Sequence, residues 1–187
     1  TFRPGDIDTS VVGAGEDWDN PGGDWAESHF SRLTDIDRSN VARLGFAWEY
    51  DLGTTRVQEA TPIVVDGTMY TSGNLGRVYA LDAATGALKW FHQLVRHDTW
   101  DFDLPTPPIL VNVRRDGRVI PAVLQTGKQN YVYIFDRVTG EPLYGMEQRP
   151  VPQTEEPGGW SAPTQPFPTK PGPIGRVGMT RADINRM

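Results

Sequence analysis

The segment from His97 to Asp103 concentrates side chains that could do chemistry in this 187-residue chain. It places one imidazole and the carboxylates of Asp98, Asp101 and Asp103 within seven residues. A carboxylate can accept a proton from a hydroxyl group, and an ammonium such as that of Lys128 can stabilise developing negative charge. From residue types alone, however, such carboxylates are typical of turns and caps, and such a lysine is typical of a solvated turn.

Several other chemistries are excluded or disfavoured. The chain has no cysteine, so disulfides, thiolate metal sites and cysteine nucleophiles are absent. It contains no nucleophile elbow, no His-Glu-x-x-His motif and no phosphate-binding glycine loop. Its net charge of −6 disfavours a nucleic-acid partner. No apolar run approaches the roughly 18 residues of a membrane span, so no transmembrane segment is expected.

Turn chemistry organises the chain, which has 20 Gly and 16 Pro. Short apolar stretches separated by Asp66-Gly67, Asn74-Leu75-Gly76 and Thr85-Gly86 predict four antiparallel strands between residues 62 and 91. Period-two alternation predicts a further strand over residues 45–52, and a capped short helix is expected over 37–44. The proline-rich stretch 150–173 is predicted to be a surface loop or a disordered end, because proline lacks a ladder donor.

The same pattern recurs 54 residues later. Gly73, Val78, Tyr79, Asp82, Thr85 and Gly86 recur as Gly127, Val132, Tyr133, Asp136, Thr139 and Gly140. A four-stranded repeat is typical of a β-propeller, although two unrelated hairpins with ordinary turns are the alternative. The predicted fold class is therefore all-β, with four-stranded antiparallel meanders as propeller blades and only two to three blades in this chain.

Several motifs resemble one family, the pyrroloquinoline quinone (PQQ) dependent dehydrogenases, whose fold is an eight-bladed propeller. The stretch from Ala80 to Trp90 matches the family's tryptophan-docking motif, A-x-D-x-x-T-G-x-x-x-W. The segment 97–105, and residues 149–153 with 161–167, are similar to segments of the glucose dehydrogenase branch. Residues 22–25, followed by 33–36 and 41–44, look like the family's amino-terminal segment.

The resemblance implies a shortened or internally deleted member, with a join near Leu88–Gln93. The expected organisation is a single partial propeller domain over residues 1–187. It comprises an amino-terminal segment and strand (1–58), a first blade (59–95), a second blade (96–149) and a proline-rich extension (150–187). An open arc leaves sheet faces and edges exposed, so self-association into a homo-oligomer that completes the ring is expected.

The resemblance also implies a function: PQQ-dependent oxidation of a sugar or alcohol hydroxyl, with electrons passed to a quinone or dye acceptor. Asp101 occupies the place of the family's proton acceptor, and Lys128 that of the lysine contacting the quinone oxygens. Glu59 resembles a glutamate beside PQQ in the alcohol dehydrogenase branch. His97 and Asp98 are expected at the substrate rim or in structural roles.

Family members hold Ca²⁺ near the quinone, but the metal ligands cannot be assigned here, because the segments that supply them are expected in the missing part. This favours the alternative for the chain alone: a non-catalytic propeller scaffold that self-assembles and has lost cofactor binding. The retained Asp101, Lys128 and Glu59 favour the enzyme. The resemblance further implies a periplasmic location.

Overall fold

The described residues form ten β-strands in three antiparallel sheets, with no α-helix among them. The computed structural model describes residues 2–9, 17–24, 26–178 and 180–183. The strands are β1 Ile7–Asp8, β2 Ile63–Val65, β3 Thr68–Gly73, β4 Arg77–Asp82, β5 Leu88–Gln93, β6 Ile109–Arg115, β7 Arg118–Thr126, β8 Val132–Asp136, β9 Met146–Pro150 and β10 Thr164–Pro168. Short 3₁₀ helices span Pro4–Asp6, Val41–Arg43 and Arg181–Asp183. No helix in these ranges is both long and apolar enough to cross a bilayer.

The first sheet is the predicted meander, with strand order β2-β3-β4-β5. Asp66 and Gly67 both have positive φ, 49° and 65°, which is the requirement of the tight turn that joins β2 to β3. Asp82 closes the later turn by accepting hydrogen bonds from the Thr85 backbone and hydroxyl at 3.0 and 2.9 Å. The turn signals in the sequence therefore predicted this sheet correctly.

The second sheet repeats three of those strands and differs at the fourth. Its order is β1-β6-β7-β8, so the amino-terminal strand β1 pairs with β6. The four-stranded repeat implies a fourth strand after Gly140, but the structure has only an isolated bridge there between Phe135 and Pro142, with Leu143 N donating to Ile134 O at 2.9 Å. Pro142 has no donor to extend that ladder.

Trp90 of β5 docks the first sheet onto the second. Its Nε1 donates to the backbone oxygen of Arg137 at 3.1 Å, and the Tyr70 hydroxyl donates to the same oxygen at 2.8 Å. The indole packs on Gly140, where an added Cβ would lie 2.7 Å from the ring. The repeated Asp-x-x-Thr-Gly turn therefore ends in glycine for two reasons: a positive φ of 78° and the approach of the indole.

Trp48 docks in the same way on the first sheet, at the turn after β4. Its Nε1 donates to Ala83 O at 3.1 Å, and it packs on Gly86, where a Cβ would lie 2.4 Å from the ring. The strand predicted over 45–52 is nevertheless wrong, because in the described chain these residues pair with no neighbouring strand. Side-chain docking holds the segment instead.

The helix predicted over 37–44 is also wrong, since the structure has only the 3₁₀ turn Val41–Arg43. The Asp37 carboxylate accepts a hydrogen bond from Ser39 N at 2.7 Å, a local bond that competes with a helix. Near the amino terminus, Trp18 bridges to Val64 as an anchor. Two tryptophans in this glycine-rich segment predict anchors to the core, and the second, Trp25, lies outside the described residues.

The proline-rich stretch contains a two-stranded ribbon, which corrects the prediction that it has no regular ladder. Strand β9 pairs with β10 in antiparallel register. Next to the ribbon, Val151 N donates to Pro163 O, and Thr169 N donates to Gly145 O. The backbone N–H and C=O groups of odd-numbered residues therefore point toward the partner strand. The prolines within the ribbon are the even-numbered Pro150, Pro166 and Pro168. Their missing donors therefore lie on the outer edges, where a strand tolerates proline.

We predict that Gly140→Ala destabilises the chain more than Gly117→Ala. Both glycines have positive φ, 78° and 73°, but a Cβ at Gly117 meets nothing within 4 Å. The backbone strain of about 1 kcal/mol is therefore common to both, whereas Gly140→Ala also forces Trp90 away, at a further cost of about 1–3 kcal/mol. Urea unfolding followed by circular dichroism measures the difference. Equal losses would show that the indole does not dock on this turn.

Candidate active site

The candidate site forms where equivalent strands of the two sheets end, β3 at Gly73 and β7 at Thr126. The segment that carries the acidic cluster passes between these ends. Ser72 Oγ lies 2.9 Å from the backbone oxygens of both Leu104 and Thr106. Gln125 Nε2 donates to Thr106 O at 3.1 Å. Both sheets therefore fix the position of the segment.

Lys128 and Asp101, to which the family resemblance assigns separate roles, lie in contact. Lys128 Nζ lies 2.9 Å from Asp101 Oδ2 and 2.6 Å from Asp103 Oδ1. Asp103 had no role assigned from the sequence. Its spacing of two from Asp101 was the available signal, because residues at i and i+2 of an extended segment share one side.

The two carboxylates raise the pKa of Lys128 well above its usual value, and Asp103 contributes the larger part. The ammonium therefore stays charged throughout the physiological range. The carboxylates differ in access: 86% of the Asp101 side chain is exposed against 29% for Asp103. Asp101 also has a φ of 62°, which is uncommon for a residue other than glycine. Asp103 holds the lysine, and Asp101 stays open to an incoming molecule.

A polar cleft of about 320 Å³ adjoins this ion pair. Its lining includes Arg56, Glu59, Asp98, Asp101 and Asp103. The structure thus brings Glu59 into the same cleft as Asp101, with no hydrogen bond joining them. Of the two residues expected at the rim or in structural roles, Asp98 accepts a hydrogen bond from Trp100 N at 3.0 Å, and His97 packs edge-on against Trp160.

The residues present do not fit a calcium ion. Four carboxylates line the cleft. In the described ranges, however, no three His, Cys, Asp or Glu side chains converge closely enough to hold a metal. These side chains therefore do not by themselves form a calcium site, and no chemical step is assigned to the ion.

A quinone is a better match for this set of groups. Lys128 supplies a fixed cation of the kind that stabilises negative charge on quinone oxygens. The ammonium stands beside an exposed carboxylate that can accept a proton, and Asn74 and Arg56 add polar groups to the cleft wall. The aromatic rings of Trp100 and Phe102 stack close by, with centroids 6.1 Å apart.

A second cavity, of about 710 Å³, has Lys128 in its wall. We call it the apolar cavity. Its walls come from residues 94–102, the stretch 128–133, strand β10 with Val151 and Pro152, and residues 176–178. The sequence did not predict it, because its walls come from segments far apart in the chain.

Two four-stranded sheets, docked through tryptophans at repeated turns, define a partial β-propeller. The family described as "PQQ: Glucose/ethanol/alcohol dehydrogenase, beta-propeller domain" matches residues 18–92 and 78–187. The chain therefore belongs to this family of PQQ-type dehydrogenase propellers. Residues 78–92 are matched in both stretches.

The relatives are quinoprotein dehydrogenases of greater length. Quinoprotein glucose dehydrogenase of Gluconobacter oxydans is 43% identical over 91 residues, which are 48% of this chain and 11% of that protein. Quinohemoprotein alcohol dehydrogenase of Comamonas testosteroni is 50% identical over 74 residues, 40% of this chain and 10% of that protein. Its crystal structure superimposes with a TM-score of 0.43 at 29% identity, covering 67% of this chain and 26% of the other. The matched residues thus span a small part of these relatives.

We predict that Asp103→Asn lowers the pKa of Lys128 more than Asp101→Asn does. Asp103 is the larger cause of the raised pKa, and each substitution removes one negative charge beside the ammonium. Asp98→Asn is the matched control, because Asp98 lines the cleft without an ion pair to Lys128. Titration of the Lys128 Cε signal by NMR reports the pKa. An unchanged value in Asp103→Asn would contradict the assigned pairing.

Proposed function

We propose that this chain carries part of the active site of a PQQ-dependent oxidoreductase that oxidises a sugar or alcohol hydroxyl. The observation that carries the proposal is the pair formed by Lys128 Nζ and Asp101 Oδ2 at 2.9 Å. It places a permanent cation beside an exposed carboxylate. Membership of the PQQ-type dehydrogenase family supports the assignment of this pair to redox chemistry.

Asp101 is the proposed base. When bound, PQQ supplies the acceptor for the two electrons that leave the substrate carbon. Asp101 accepts the hydroxyl proton through Oδ1 or Oδ2, and its exposed side chain leaves room for the substrate oxygen. Asp103 keeps Lys128 in position at 2.6 Å while the Asp101 carboxylate becomes neutral.

Lys128 and Glu59 are the proposed cofactor-binding residues. Lys128 stabilises negative charge on the quinone oxygens through its ammonium. Glu59 lines the polar cleft and can accept a hydrogen bond from a ring N–H group. The carboxylates of the cleft outnumber its cations, so a cofactor that itself carries carboxylates meets unfavourable charge. We therefore expect a divalent cation in solution to strengthen the binding.

The second candidate is a propeller scaffold without catalysis. The absence of a three-residue metal cluster from the described chain favours it. Either candidate is compatible with a homo-oligomer, because the sheets of an open arc leave edges that a second copy could cover. Light scattering at micromolar concentration measures the mass, and a stable monomer would contradict the homo-oligomer.

We also propose that the protein lies in the periplasm and that a quinone or dye accepts its electrons.

We predict that the purified chain binds PQQ in the presence of Ca²⁺, and that Lys128→Ala weakens this binding about tenfold or more. Lys170→Ala is the control, since Lys170 is exposed and outside the cleft.

Asp101→Asn should keep PQQ bound and lower dye reduction about a hundredfold or more with alcohols and sugars. Equilibrium dialysis and dye reduction measure the two effects. No binding at micromolar PQQ would leave only the scaffold, and equal loss of binding and turnover in Asp101→Asn would contradict its role as base.

A further inference from the structure

The turn between β3 and β4 holds the segment that carries Glu59. Asn74 lies in this turn and binds two consecutive residues of the segment. Its Nδ2 donates to the backbone oxygen of Val57 at 2.6 Å, and its Oδ1 accepts from Gln58 Nε2 at 2.9 Å. We propose that Asn74 is a positioning residue that orients Glu59 in the polar cleft. The inference rests on the proposed function, because it takes Glu59 to contact the cofactor.

Glu59 depends on its backbone for its position. Its carboxylate forms no hydrogen bond or ion pair with any residue that the structure describes. The next residue, Ala60, is buried and fixes the backbone on one side. On the other side Val57 is 81% exposed, so packing does not hold it. The two hydrogen bonds of Asn74 therefore fix the backbone there.

Side-chain bonds replace a ladder in this part of the chain. Residues 52–62 precede β2 and belong to no strand. Besides Asn74, Arg77 at the start of β4 binds the segment, because its Nη1 donates to Leu52 O at 3.2 Å. The first sheet thus holds the approach to Glu59 at two points, and Asn74 is the nearer of them.

The 54-residue repeat makes Asn74 the counterpart of Lys128. Gly73 recurs as Gly127, and each of these two residues directly follows that glycine. Both lie just beyond the ends of equivalent strands, Asn74 after β3 and Lys128 after β7. A residue in this place therefore borders the cleft from each sheet.

The two counterparts also make equivalent contacts. Lys128 reaches Asp103, six residues before β6 begins, and Asn74 reaches Val57, six residues before β2 begins. In each sheet this position holds the segment that leads into the sheet. Lys128 does so with its charge, whereas Asn74 uses an amide, which offers both a donor and an acceptor.

The turn itself does not require an asparagine at this position. Its left-handed residues are Leu75 and Gly76, with φ of 63° and 62°, and Asn74 is not among the residues of positive φ. The Asn74 amide also makes its bonds away from the turn, to residues 17 and 16 positions earlier in the chain. Its contacts therefore serve the segment that carries Glu59.

We predict that Asn74→Ala loosens residues 57–59 and weakens PQQ binding about fivefold, because Glu59 must then be ordered when the cofactor binds. In the cofactor-free chain, ¹⁵N relaxation should show the order parameters of the Gln58 and Glu59 amides falling from about 0.85 to below about 0.6. Equilibrium dialysis with PQQ and Ca²⁺ measures the affinity. Asn74→Asp keeps an acceptor for Gln58 but loses the donor to Val57 O, and it should change both readouts in the same direction.

Asn40→Ala is the matched control. Asn40 Nδ2 donates to Asp35 O at 2.7 Å and its Oδ1 accepts from Asp37 N at 2.9 Å, so its amide also holds two backbone groups, but outside the cleft. This variant should leave the order parameter of Glu59 and the PQQ affinity unchanged. In a Glu59→Ala background, Asn74→Ala should change the PQQ affinity less than about twofold, because Asn74 acts through Glu59.

Unchanged order parameters in Asn74→Ala would overturn the inference, whether or not PQQ binds. A looser segment with unchanged PQQ affinity would also overturn it, and so would an equal loss of affinity with and without the Glu59 side chain. The outcome is separable from that of the proposed function. A wild-type chain that binds no PQQ refutes the proposed cofactor site, and the order parameters alone then decide whether Asn74 positions Glu59.

Discussion

The docking of Trp90 on the turn after β8 is the interaction on which the rest of the structure depends. The backbone oxygen of Arg137 accepts hydrogen bonds from the Trp90 indole and the Tyr70 hydroxyl, both from the first sheet. The Arg137 side chain also forms an ion pair with Asp66, in the turn between β2 and β3 of the first sheet. Each hydrogen bond contributes about 1 kcal/mol net, but together they fix the angle at which the sheets meet. A buried core that draws residues from both sheets, including Ile63 and Phe135, then fills the space between them.

Fixing the two sheets also fixes the candidate site, because the site lies where β3 and β7 end. Ser72 and Thr126 occupy equivalent positions of the 54-residue repeat, and the acidic segment is held between them. Lys128 follows β7 directly and reaches Asp101 and Asp103 from the second sheet. The same docking therefore serves stability and the proposed chemistry.

The sequence predicted what depends on local chemistry. The glycine turns specified the first meander, and the repeat identified equivalent strands in the second sheet. The family resemblance singled out Asp101 and Lys128 but did not predict their ion pair, because 27 residues separate them and no local rule brings them together. Two of the errors share one cause. The segment 45–52 alternates like a strand, but pairing depends on a neighbour that the described chain does not place beside it. Pro166 and Pro168 were taken to prevent a ladder, but their tolerance depends on which edge of β10 faces β9.

The central claim is that these two sheets, within this chain, bring Lys128 against the acidic segment. Zero-length carbodiimide cross-linking tests it directly, because it joins a lysine only to a carboxylate in contact. After trypsin, the acidic segment lies in peptide 97–114, which contains no lysine, and Lys128 lies at the junction of peptides 119–128 and 129–137. The account predicts a cross-linked product of 97–114 with 119–137, joined through Lys128 to Asp101 or Asp103. Recovery of Lys128 unlinked, or linked only to carboxylates outside 97–114, would contradict it.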